Sequence, residues 1–106
     1  MRILFDQGTP LPLKPHLVDH VVETVFELGW SRLKNGELLA AAEDSFNLLI
    51  TTDQQLRHQQ NLAERKLSIL VLMTTSWPHL KLHISEIAEA VEQMGVGKYR
   101  ELSLKE

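Results

Sequence analysis

Residues 46–55 read Phe-Asn-Leu-Leu-Ile-Thr-Thr-Asp-Gln-Gln, a short apolar run that stops at two threonines, an aspartate and two amides. A run of this length, bounded by turn formers and rich in branched residues, predicts a strand buried on both faces. Residues 67–73, Leu-Ser-Ile-Leu-Val-Leu-Met, predict a second such strand, followed by the polar loop Thr74-Thr75-Ser76-Trp77-Pro78. Asp53 sits where the first of these strands delivers the chain to the rim of a sheet. In open α/β sheets that rim, at the carboxyl ends of the strands, is where ligands and chemistry collect.

The remaining elements follow in order. Residues 2–5 predict a strand ending at Asp6, with Gln7 and the permissive turn residue Gly8 after it. Thr9 is placed to cap a first helix with Pro10 at its first position, although Pro12 and Pro15 should leave only irregular turns. Leu13 and Leu17, four apart, would face the sheet. Valine-rich residues 21–25 predict the second strand, and residues 27–34 a loop around Gly29 with Trp30 folded back on the domain. Asn35 reads as a helix cap, with Glu37 in a first turn whose dipole favours an anion. Leu38, Leu39 and Ala42 give that helix its buried face.

Residues 54–64 are polar. Leu56, Leu62 and Ala63 offer the apolar contacts of an exposed, weakly held helix. From residue 79 to 94, Leu80, Ile84, Ile87, Ala88, Val91 and Met94 trace one helical stripe, ended by Gly95 and Gly97. Residues 99–104 alternate as an edge strand would. Strand and helix alternate along the whole chain. The prediction is one α/β domain over residues 1–106 with three layers, α/β/α, around a mostly parallel sheet of four to five strands. The strand order is 2-1-3-4 with an added edge strand, joined by right-handed crossovers.

Composition excludes several classes of function. The 106 residues contain no cysteine, so disulfides, thiolate metal sites and cysteine nucleophiles are absent. No apolar stretch reaches a membrane span of roughly 18–20 residues, and the opening residues lack signal-peptide architecture, so a cytoplasmic protein is expected. The net charge of −3 argues against an overall cationic nucleic-acid binder. A local basic rim of Arg32, Lys34, Arg57, His58, Arg65 and Lys66 flanks Glu37 and Asp53, either as a phosphate path or as ordinary solvated surface. His16/His20 and His79/His83 have the four-residue spacing of shared metal ligands, but neither pair has a third ligand nearby in sequence. Trp30 and Trp77 read as packing or partner contacts.

If the first and third strands are neighbours, Asp6 and Asp53 share a crevice, and Glu37 at a helix N-terminus can point into it. Two or three carboxylates suffice for Mg²⁺ or Mn²⁺ when waters and a substrate phosphate complete the shell. Aspartates at such junctions also serve as plain caps, as Asn35 would. Thr51 and Thr52 are β-branched strand residues of which one faces away from the rim, leaving the other to orient Asp53 or a water.

At these residues the chain resembles the PIN-like nucleases, in particular small stand-alone relatives of the toxins of bacterial toxin–antitoxin pairs. The likeness rests on Ile3-Leu4-Phe5-Asp6, on Glu27-Leu28-Gly29-Trp30 with Asn35-Gly36-Glu37-Leu38-Leu39, and on Leu48-Leu49-Ile50-Thr51-Thr52-Asp53. The resemblance implies a metal-dependent ribonuclease with Asp6, Glu37 and Asp53 as catalytic metal ligands, RNA as substrate, and an antitoxin protein and homodimerisation as partner interactions. Asn35, Gln55, Thr52, Gln7 and Arg57 would be secondary ligands or substrate contacts. Relatives carry further acids where this chain has Gln7, Asn35 and Gln55, and fewer charges mean weaker binding of a hard cation. Two other readings fit the same strands. One is a phospho-acceptor receiver domain with Asp53 phosphorylated, Asp6 holding magnesium and Thr74 or Thr75 sensing the phosphoryl group. Against it stand Gln7 beside Asp6, Lys105 at the terminus and no role for Glu37. The other is a PIN-like fold kept as a binding module without catalysis.

Overall fold

The computed structural model describes residues 1–62 and 65–104. Five parallel strands, β1 (Arg2–Phe5), β2 (Val21–Thr24), β3 (Leu48–Thr51), β4 (Ser68–Leu72) and β5 (Tyr99–Leu102), form one sheet in the order β2-β1-β3-β4-β5. The α/β class, the three layers and the strand order are as the sequence predicts, with β5 as the edge strand beside β4. Every residue of β3 and β4 is buried, which is what an apolar run enclosed by two helical layers requires. Among the described residues no helix is long and apolar enough to cross a membrane.

Alternation along the strands divides the core in two. Ile3, Phe5, Leu48, Ile50, Leu70 and Leu72 face one layer, together with Leu13 of the 3-10 segment Leu11–His16, Leu17 just after it, and Leu80, Ile87 and Val91. Leu4, Leu49, Ile69 and Val71 face the other, against Leu38, Leu39 and Ala42 of α1 (Asn35–Ser45) and Leu56 of α2 (Leu56–Gln59). Trp30 folds back onto this second layer, edge-on to Phe46 at 6.2 Å. Ala63, one of the apolar residues expected under the α2 region, lies outside the described residues.

Several local expectations are corrected. Thr9 does not cap the first turn; its hydroxyl donates to the Ile50 carbonyl at 2.9 Å, satisfying a buried acceptor at the end of β3. The 3-10 segment starts behind Pro10 and contains Pro12, residues without an N–H, so it has fewer donors for a cap to serve. Asn35 is the first helical residue of α1 and Lys34 its cap position; the Glu37 carboxylate reaches back to the Lys34 N–H at 3.0 Å. The stripe over residues 79–94 is two helices, α3 (Trp77–Lys81) and α4 (Ile84–Gln93). Tight bonds from Leu82 to His79 and from His83 to Leu80 close α3, and Leu82 is left 75% exposed in the break. Both helices still pack on one core, so the periodicity located the buried face and not the continuity.

The last connection also differs from expectation. The 3-10 segment carries the chain from β1 outward to β2 on the first face. α1 and α2 carry it in the opposite direction on the second. These three crossovers therefore share one hand. α3 and α4 lie on the first face yet lead outward to β5 on the far side, so the β4–β5 crossover has the opposite hand. Such reversals are rare in parallel sheets. The turn into β5 is held by Ser68, whose hydroxyl donates to the Gly95 carbonyl and accepts from the Lys98 N–H at 3.1 Å. Gly97 completes it at φ +66, where a Cβ would meet the Arg65 carbonyl oxygen at 2.9 Å.

Candidate active site

The parallel register brings the carboxyl ends of β1 and β3 side by side, Phe5 opposite Ile50, and the Asp6 N–H continues the ladder to the Ile50 carbonyl at 3.0 Å. Asp6 and Thr51 thereby leave the sheet on the same face. The fully buried Thr51 hydroxyl donates to Asp6 Oδ2 at 2.9 Å and accepts the Asp53 N–H at 3.1 Å. Each aspartate also takes a local amide: Asp6 Oδ1 from Gln7 at 2.8 Å and Asp53 Oδ1 from Gln55 at 2.9 Å. These bonds fix both carboxylates against the backbone.

Burial pushes the Asp6 carboxyl above the ordinary aspartate value, outweighing the hydrogen bonds from Thr51 and Gln7, and the negative charge of Asp53 pushes it further. Asp6 and Asp53 are thus near enough to feel one another, and neither is in an ion pair among the described residues. A half-buried acid beside a second acid, with no cation opposite, is charge left uncompensated at the rim.

Of the three acids expected to converge, the structure brings two together. Glu37 is exposed at the amino end of α1 and its carboxylate is spent on the Lys34 N–H. Among the described residues no three of His, Asp or Glu are grouped closely enough to hold a metal ion. Asn35 donates to the Gln59 side chain at 2.9 Å, tying the start of α1 to α2, the helix that follows Asp53. The hydroxyl between the two acids belongs to Thr51; Thr52 instead packs on Gly8, where a Cβ would lie 2.9 Å from its Oγ1. Gly8 has φ +89, so both its conformation and its neighbour require glycine. The Gln7 and Gln55 residues are exposed.

Arg57 of α2 lies 3.5 Å from Glu101 of β5, and Glu101 also accepts the Tyr99 hydroxyl at 2.8 Å. Desolvation, together with Glu101, pushes the Tyr99 phenol up to about 12, and Asp53 contributes to the rise, so this group borders the acid pair. Tyr99 and Glu101 were not foreseen as part of this rim. Alternation placed them on one face of an edge strand, but only the β4–β5 register, with Val71 opposite Glu101, says which. Arg65 is paired with Glu43 at 3.0 Å, which leaves Arg32, Lys34 and Lys66 of the basic rim outside any ion pair among the described residues.

The histidine pairs serve other ends. His20 sits between the Met1 amino group and Glu92, His16 lies against Trp77, and His83 pairs with Glu86 at 2.6 Å. Beside the acid pair, a cleft of about 720 Å³ runs from Asp6, Gln7 and Gly8 along Leu11, Pro12 and Pro15 to Thr24, Phe26 and Glu27. No protein-family model matches this chain, and no curated protein or solved structure matches it either.

Proposed function

We propose that the chain is a metal-dependent ribonuclease that hydrolyses RNA phosphodiester bonds, with Asp6 and Asp53 as the ligands of Mg²⁺ or Mn²⁺. The observation that carries this reading is the Thr51 hydroxyl, bonded to the Asp6 carboxylate and to the Asp53 N–H, which sets two acids without ion-pair partners among the described residues at the carboxyl edge of a parallel sheet. The donor set fits a hard cation that keeps several waters and takes the rest of its shell from a phosphate. Bound there, such an ion supplies an activated water and charge neutralisation at phosphorus.

The chain's own residues do the rest. Thr51 holds the Asp6 carboxylate in one orientation and fixes the backbone that carries Asp53. Burial disfavours the charged Asp6 carboxylate that a cation would need, so affinity should fall as the solution is made acidic. Arg57 of α2, the helix that follows Asp53, is steadied by Glu101 and is the cation suited to meet a substrate phosphate. Glu37 joins the site only by releasing the Lys34 N–H. The resemblance to PIN-like nucleases supports the same assignment, and antitoxin pairing and homodimerisation enter from that resemblance alone.

The test is cleavage of single-stranded RNA in Mg²⁺ or Mn²⁺, comparing wild type with Asp6→Asn and Asp53→Asn. Cleavage that needs the metal and drops at least a hundredfold in both variants is expected. Metal-independent cleavage, or cleavage untouched by either substitution, would overturn the assignment. A chain that ignores divalent metals altogether would instead be a binding module of this fold.

One observation favours the receiver reading. The order β2-β1-β3-β4-β5 is also that of flavodoxin-like sheets, with Asp53 beyond the end of the central strand. Against it, the β4–β5 crossover runs on the unexpected face, and the Thr74 hydroxyl is already turned to the Ser76 N–H at 3.1 Å. Lys105 lies outside the described residues. Acetyl phosphate should leave Asp53 unlabelled.

A further inference from the structure

The cleft beside Asp6 is built unlike the acid pair it adjoins. Its walls are largely apolar, from Phe5, Leu11, Pro12, Pro15 and Phe26, and Phe26 stands 80% exposed. Its charged members are Asp6 and Glu27 against the single cation Lys14, which is already paired with Glu27 at 3.3 Å. Hydrogen bonds from Thr24 and Lys14 hold the Glu27 carboxyl below its ordinary value, so it stays ionised. A lining with this charge balance repels a phosphate or a carboxylate. It suits a flat, neutral, mostly apolar group, and its size lies within the roughly 300–1,000 Å³ of small-ligand sites. Asp6 lines this cleft and is also a member of the acid pair, so a group in the cleft can be continuous with one handled at Asp6.

We propose that this cleft seats one nucleobase of an RNA strand whose phosphate lies at Asp6 and Asp53, with Phe26 as its stacking platform. The proposal rests on the ribonuclease reading and adds to it the part of the substrate recognised. A base has a π-face whatever its identity, so a single exposed aromatic ring can hold it without reading sequence. Gln7, an exposed member of the lining, supplies an amide that can meet a polar base edge. Phosphates on either side of the base stay outside the cleft, away from Asp6 and Glu27.

The experiment measures binding of a fluorescently labelled ten-nucleotide single-stranded RNA in Mg²⁺. All proteins carry Asp53→Asn so that the strand is not consumed. Wild-type cleavage is assayed in parallel. Phe26→Ala should weaken binding roughly tenfold, and Phe26→Trp should restore it, in line with the energy of one base stacked on an aromatic ring. With a strand lacking its bases, Phe26→Ala should make no further difference. Because Phe26 is exposed, melting temperatures of these variants should match, which separates lost stacking from lost folding. Wild-type RNA cleavage with binding that Phe26→Ala leaves within twofold would overturn the cleft alone. No RNA binding and no cleavage would overturn the ribonuclease reading together with it. A change in oligomeric state with Phe26→Ala, and none in RNA affinity, would assign the cleft to a second copy of the chain and likewise overturn the proposal.

Discussion

The Thr51 hydroxyl joins loops that are 45 residues apart in sequence, since it is bonded to Asp6 at one end and to the Asp53 N–H at the other. Thr51→Val keeps the shape and removes both bonds, leaving a half-buried amide and carboxylate each short of one partner. A loss of about 1–3 kcal/mol in urea unfolding is expected, with a fall in metal-dependent activity larger than the fall in stability. Asp6 gives a prediction of the opposite sign. Because burial raises its pKa above the unfolded value, the folded chain binds that proton more tightly than the unfolded one. The stability that proton confers is present at pH values below the unfolded pKa and is lost as pH rises through the folded pKa. Without divalent metal, Asp6→Asn should therefore melt higher than wild type at pH 7, by on the order of a few degrees, and the gap should close towards pH 4. Adding Mg²⁺ should raise the melting temperature of wild type and leave that of Asp6→Asn unmoved. A variant that melts lower than wild type at both pH values would show that the Thr51 bond outweighs desolvation.

Elements were legible where one force dominated. The apolar runs of β3 and β4 have a single reading, because no other arrangement hides four or five consecutive side chains on both faces of so short a segment. The acid at the end of β3 was legible for the same reason. Glu37 was not: a carboxylate in a first turn is equally suited to an ion and to its own backbone, and three residues of separation favoured the Lys34 N–H. Tyr99 and Glu101 were invisible because what brings them to this rim, the pairing of Glu101 with Arg57, spans more than forty residues. Between α3 and α4 the heptad-like stripe hid a break, and two substitutions there separate stripe from break. Leu80 is fully buried, so Leu80→Ala should cost about 2–5 kcal/mol. Leu82 points to solvent, so Leu82→Gln should fall within about 0.5 kcal/mol of wild type. Equal losses at the two positions would mean that one uninterrupted helix forms in solution.

For the molecule as a whole, every strand pair is parallel and every strand contact spans a crossover, so few stabilising contacts are local. Closing those loops comes before the reward of pairing, and refolding should take milliseconds to seconds and not microseconds, a range stopped-flow fluorescence of Trp30 and Trp77 can read. The sheet is also unequal across its width. β3 has a neighbour on each side, while β5 meets β4 alone and is reached by the crossover of reversed hand. Amide exchange should accordingly be fastest in β5 and slowest in β3. The reversed path has a further result. Helix α4 lies on the first face beside the 3-10 segment and also holds β5, through the Arg100–Gln93 hydrogen bond at 3.0 Å and the packing of Leu102 in the same core. Any displacement of β5 would therefore pull on α4 as well, and would carry Glu101 and Tyr99 away from Arg57. The outermost strand is thereby coupled to both a helix and the charge balance around Arg57, two elements that a plain edge strand would leave untouched.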